Sequence, residues 1–113
     1  MKTVSGILTL PADAPVGTAG RTAIRVRDVT RADLPELVHE SLVPGLPVAP
    51  GDSVPFTFQI DDVDSGRQLN LEVHMDMDGS DNLTPGDLIT TECVPVLVDG
   101  AESEVRVPLT RIG

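Results

Sequence analysis

The stretches Val54-Pro55-Phe56-Thr57-Phe58-Gln59-Ile60 and Leu69-Asn70-Leu71-Glu72-Val73-His74-Met75 place an apolar residue at every second position. Side chains in an extended strand alternate between two faces, so this spacing gives each stretch one dry face and one wet face. Ile24-Arg25-Val26-Arg27 and Val105-Arg106-Val107-Pro108-Leu109 alternate in the same way. Val4 to Leu10, Leu37 to Val43 and Leu88 to Val96 are less regular but apolar and rich in β-branched residues. Seven strands are therefore predicted, with Phe56, Phe58, Leu69, Leu71, Val73, Val105 and Val107 expected on the buried face.

Turn-forming clusters separate these strands: Pro11 to Gly20, Thr30 to Pro35, Pro44 to Gly51, Asp61 to Gly66, Asp76 to Gly86 and Asp99-Gly100. Ten prolines and ten glycines spread along the chain leave no room for a long helix. Only Arg31 to His39 could hold a helical turn, and Pro35 interrupts it. The pattern predicts a single-domain, all-β sandwich over residues 1–113, immunoglobulin-like or related. If consecutive strands run up and down, Pro11 to Gly20, Pro44 to Gly51 and Asp76 to Gly86 share one end. Thr30 to Pro35, Asp61-Asp62-Val63-Asp64 and Asp99-Gly100 then share the other.

With 40% hydrophobic and 23% charged residues over 113 positions, the composition suits a folded core without disulfides. The formal net charge of -10 repels phosphate backbones and anionic membrane surfaces, and two phenylalanines with no Trp or Tyr offer little for base stacking. Nucleic acid is thus excluded as the expected partner, whereas cationic partners and metal ions are attracted. No apolar run is long enough for a transmembrane helix. Met1-Lys2-Thr3-Val4 runs straight into a strand pattern without the apolar region and cleavage site of a secretory signal, so the chain as written carries no export address. Cys93, next to the apolar Val94 and Val96 in a strand pattern, reads as a buried structural thiol.

Catalytic motifs are absent: there is no Gly-x-Ser-x-Gly, phosphate loop, His-Glu-x-x-His or Cys-x-x-Cys. His39 and His74 both fall in strand patterns and read as solvated strand histidines. The expectation is a protein that is not an enzyme. One segment has chemical content, Asp76-Met77-Asp78-Gly79-Ser80-Asp81-Asn82-Leu83-Thr84-Pro85-Gly86-Asp87, with oxygen-bearing side chains at its positions 1, 3, 5, 7, 9 and 12. Calcium takes six to eight oxygens, and EF-hand loops draw on those same positions. Gly79 at position 4, Asp81 in place of the glycine expected at position 6, Asp87 in place of glutamate at position 12, and flanking strands show that this is not an EF-hand. Asp76, Asp78, Ser80, Asn82 and Asp87 are the candidate calcium ligands. The alternative is a polar hairpin loop whose Asp, Asn, Gly and Pro serve turn geometry. Asn82-Leu83-Thr84 also matches the glycosylation triplet.

Val4 to Pro15, Val26-Arg27-Asp28-Val29-Thr30-Arg31-Ala32-Asp33 and Val54-Pro55-Phe56-Thr57-Phe58 together resemble the type III secretion pilotin (YscW-like) family, which includes small YbaY-type lipoproteins. The resemblance implies a β-sandwich and an accessory role: binding the C-terminal segment of a secretin subunit, as a chaperone that escorts it to the outer membrane. It also implies a periplasmic or outer-membrane setting. A lipid-modified cysteine near the start, which such escort uses, has no counterpart here, since Cys93 lies late in the chain. Binding of a peptide partner is expected at a sheet edge or in the groove between sheets.

Overall fold

The computed structural model describes residues 1–31, 33–61, 66–98, 101–102 and 104–113. Its elements are β1 (Lys2–Thr9), β2 (Gly17–Thr18), β3 (Arg21–Asp28), β4 (Glu36–Val43), β5 (Pro47–Val48), β6 (Ser53–Ile60), β7 (Leu69–Asp76), β8 (Leu88–Ile89), β9 (Pro95–Val96), β10 (Glu104–Pro108) and β11 (Thr110–Arg111). Every element among the described residues is a strand. The first sheet has the order β10-β1-β6, with β1 parallel to β10 and antiparallel to β6. The second has the order β11-β8-β7-β3-β4, with β9 also on β7, and a two-stranded ribbon joins β2 to β5.

Alternation explains the packing. Val4 and Leu8 of β1, Ile24 and Val26 of β3, Leu69, Leu71, Val73 and Met75 of β7, and Val107 of β10 meet in one buried cluster between the sheets. Phe56, Phe58 and Val105, expected in the buried set, are only half-buried against it. They lie on β6 and β10, the two edges of the three-stranded sheet, where one flank of each side chain has no neighbouring strand. Gly6 sits at the centre of that sheet. A Cβ there would overlap the Val105 carbonyl oxygen and lie 2.9 Å from the Phe56 ring, so only glycine lets the three strands close up.

Six of the seven expected strands are present, and the seventh is divided. Leu88 to Val96 stays alongside β7 throughout, but as β8 and β9 separated by a bulged segment. The Thr90 hydroxyl accepts the Val73 N–H at 3.2 Å, taking the place of a ladder carbonyl and lifting the chain out of register. Cys93 is exposed, contrary to the expectation of burial, because Val94 and Val96 occupy the inward positions. Among the described residues no helix stands before His39, and β4 is already extended from Glu36.

Three loops meet at one end as expected. Ala19 N–H donates to the Leu46 carbonyl, Gly20 N–H to Met77, and Gly51 N–H to Pro11. At the other end Val29 N–H donates to the Gln68 carbonyl, and Asp28 is buried beneath Thr30 and Arg67. Asp62-Val63-Asp64 and Asp99-Gly100, expected at that end, lie outside the described residues.

Candidate functional site

Among the described residues, two places bring chemically useful groups together. The first is the open side of the sandwich, where β4 ends one sheet and β6 ends the other. Between these edges lies a cleft of about 270 Å³, floored by Leu8 and Ile24 and walled by Val43, Leu46, Val54 and Phe58. The His39 ring stacks on Phe58 with centroids 4.5 Å apart and planes within 4°, and Phe56 continues the row at 6.1 Å. His39 Nε2 lies 2.7 Å from the Ser41 hydroxyl. Sequence reasoning read His39 as solvated; in the fold it is a half-buried bridge between sheets. Beside the cleft, Leu37 and Leu42 of β4 are 50% and 49% exposed, and Leu34 and Val38 are exposed as well. Large apolar side chains grouped on one edge mark a surface suited to binding.

The second place is the acidic loop between β7 and β8. Its two end residues are buried: Asp76 closes β7, and Asp87 precedes β8 with no exposed surface. Both Asp76 oxygens are used, Oδ1 accepting the Gly79 N–H at 3.1 Å and Oδ2 the Asp81 N–H at 2.6 Å. Asp87 Oδ1 accepts the Met77 N–H at 3.0 Å, while Oδ2 takes the Thr84 N–H at 3.2 Å and lies 2.8 Å from His74 Nε2. His74 is thus buried under the loop rather than solvated, a correction to the sequence reading. Its backbone partner across the ladder is Ala23, small enough to let the loop fold down onto the outer face of the sheet.

Asp78 and Ser80 continue the same logic at the exposed tip. Asp78 Oδ1 accepts the Ser80 N–H at 3.0 Å, and the Ser80 hydroxyl accepts the Asn82 N–H at 3.3 Å. Gly79 and Asp81 both adopt φ of 70°, a left-handed conformation that glycine and, less readily, aspartate accept. Arg21 pairs with Asp81 at 2.8 Å. Of the five candidate ligands, Asp76 and Asp87 converge with His74, one ligand atom from each lying within 4.8 Å of the others. Asp78, Ser80 and Asn82 are exposed and lie on the tip.

Burial pushes the Asp87 carboxyl up, but the His74 hydrogen bond and the two backbone N–H groups outweigh it and hold it below the ordinary aspartate range. Hydrogen bonds from Ser80 likewise lower Asp78. At the far end, the Thr30 hydroxyl, then Arg67 and the Thr30 N–H, bring Asp28 down to about 2. Sequence reasoning found Asp76 and Asp87 by their spacing but missed His74. Its signal was position: it shares the outward face of β7 with Asp76, two residues on.

A three-stranded sheet centred on β1, packed on a larger sheet with one side open, makes a β-sandwich whose fold has a counterpart among solved structures. The likeness is to the solved structure of an alternative pilotin from the type II secretion system of Vibrio cholerae. It has a TM-score of 0.65 and 14% identity, and it covers 99% of each chain. At that identity the likeness concerns the fold. No family model matches the chain, and no curated protein matches it. Among the described residues no helix is long and apolar enough to cross a membrane.

Proposed function

We propose that this protein is a non-enzymatic accessory protein of a bacterial secretion apparatus, a pilotin-like chaperone that binds the C-terminal segment of a secretin subunit. The observation that carries this reading is the open side between β4 and β6, an apolar cleft with an aromatic row at its mouth, in a fold shared with a pilotin. Such a role belongs in the periplasm or at the outer membrane. A type II secretin tail is the first client to test, because the shared fold lies with a type II pilotin. A type III tail, which the sequence resemblance suggests, is the comparison. Titrating either tail into isotopically labelled protein is expected to shift the amide signals of His39, Phe56 and Phe58. Phe58→Ala should weaken binding by about 2 kcal/mol, roughly thirtyfold, as for a central aromatic anchor. Unchanged spectra at high concentrations of both tails would remove the secretin reading.

A second reading concerns the acidic loop as a calcium site that stabilises the domain. The convergence of buried Asp76 and Asp87 beneath a tip carrying Asp78, Ser80 and Asn82 favours it. The backbone N–H groups already held by those carboxylates compete with it. On this reading millimolar Ca²⁺ raises the melting temperature by on the order of ten degrees and Mg²⁺ by much less. Asp78→Ala, at the exposed tip, removes the difference. Equal shifts with both ions would leave the carboxylates as hydrogen-bonded brackets of a hairpin loop.

A further inference from the structure

We infer that the free edge of β4 takes an extended segment of a partner protein as an added strand, one that alternates apolar residues with Lys or Arg and roofs the cleft with its apolar face. The inference rests on the reading of this protein as a polypeptide-binding accessory protein and specifies how the segment is held.

An edge strand presents unpaired N–H and C=O groups, and proteins ordinarily blunt it with proline, charged side chains above all lysine, bulges or short length. Among the described residues β4 pairs only with β3. It has eight residues, Glu36-Leu37-Val38-His39-Glu40-Ser41-Leu42-Val43, with no proline and no lysine. The other long edges differ: β6 contains Pro55, and the five-residue β10 ends on Pro108. Val38 is skipped in the pairing of β3 with β4, so the bulge there leaves His39 to Val43 as the regular stretch. That stretch borders the cleft, which Ser41 and Val43 line.

The same geometry sets the chemistry of the incoming strand. Its side chains alternate between faces. Those on the inner face drop into the cleft beside Phe58 and Leu46, where only apolar groups fit without losing hydrogen bonds. Those on the outer face lie alongside Leu37, Glu40 and Leu42. Glu36 is exposed and makes no ion pair among the described residues, and Glu40 is shared with Arg25 on β3. A chain of net charge -10 draws a basic segment to this edge and repels an acidic one. It also disfavours a second copy of itself, since each copy would bring that charge and the same two glutamates to the seam.

The test uses capped synthetic peptides of one composition, Leu, Val, Thr and Lys, in two orders: one with the apolar residues at strand spacing and one at helical spacing. The strand-spaced peptide is expected to bind, to slow hydrogen exchange at alternate β4 amides, and to bind less tightly to Leu42→Lys, which puts a cation on the exposed edge. A probe independent of any variant is N-methylation of alternate peptide nitrogens. Methylating the set that faces β4 should abolish binding, while methylating the other set should leave it. Preference for the helix-spaced peptide, or equal effects of the two methylation patterns, would overturn strand addition and leave the accessory reading standing. Binding of neither peptide would also overturn strand addition, and the secretin-tail titration then decides the accessory reading separately. Self-association that protects the β4 amides without peptide would assign the edge to a second copy and overturn the inference.

Discussion

Leu71→Ala is expected to destabilise the protein by about 3–5 kcal/mol, near the top of the range for buried leucines. Leu71 is 1% exposed at the centre of β7, in the cluster that joins the two sheets. Its backbone is fixed on both sides, paired with Val26 of β3 and donating its N–H to the Val94 carbonyl at 2.9 Å. The void cannot collapse when both neighbours are held, so the loss comprises the lost transfer free energy and an unrelieved cavity. Against a total stability of about 5–15 kcal/mol, this single change removes a large share. Phe58→Ala, half-buried at the open side, should cost clearly less because the site is already in contact with solvent. Urea unfolding of both variants is the measurement, and a loss at Phe58 equal to that at Leu71 would contradict the placement of the core.

Asp87→Ala should destabilise the fold by roughly 3–5 kcal/mol, since it strips a buried carboxylate from partners that cannot be rehydrated in place. Three groups lose their acceptor: the Met77 N–H, the Thr84 N–H and the His74 ring. Asp87→Asn tests the electrostatic part, because an amide keeps the shape but has only one accepting oxygen. It should fall between wild type and alanine. The acid side of the stability curve has the same origin. Asp87 and Asp28 are both held below the ordinary aspartate value of 3.8, Asp28 at about 2. A carboxyl lowered by folding contributes stability at pH above the ordinary value and loses it as pH falls through the folded value. Stability should therefore drop between about pH 4 and pH 2, and Asp28→Asn should flatten that limb. A wild-type curve level across this interval would contradict both assignments.

The strands were legible because their information is local. Leu69 to Met75 alternates without a break, and one register alone gives it a dry face. Even the exposure of Cys93 was within reach: with Val94 and Val96 facing inward, an odd-numbered neighbour must face out. The break between β8 and β9 was not, since Val94 and Val96 keep the alternation on while a threonine hydroxyl quietly replaces a ladder partner. Strand order is likewise invisible to periodicity. Nothing near Phe56 says that β6 is an edge, yet that is what halves its burial. The acidic loop was found by its spacing, but spacing cannot tell a carboxylate aimed at an ion from one aimed at its own chain's N–H groups. The burial of His74 depends on a loop folding back over the sheet, a tertiary event that no window around the histidine contains.

The parallel pairing of β1 with β10 sets the order in which this chain can fold. Ser5 to Thr9 lie against Glu104 to Pro108, and the Thr9 hydroxyl bonds the Val107 carbonyl across a separation of 98 residues. β1 is thus the central strand of its sheet, and its parallel neighbour β10 follows it in the chain by about a hundred residues, whereas its antiparallel neighbour β6 is much nearer. Loop-closure entropy over about a hundred residues must be met before that contact returns any free energy, which puts the fold among slow, high-contact-order topologies. The contacts of β3 with β4 and β7, and of β1 with β6, close shorter loops, so the three-stranded sheet is completed only when β10 docks on β1.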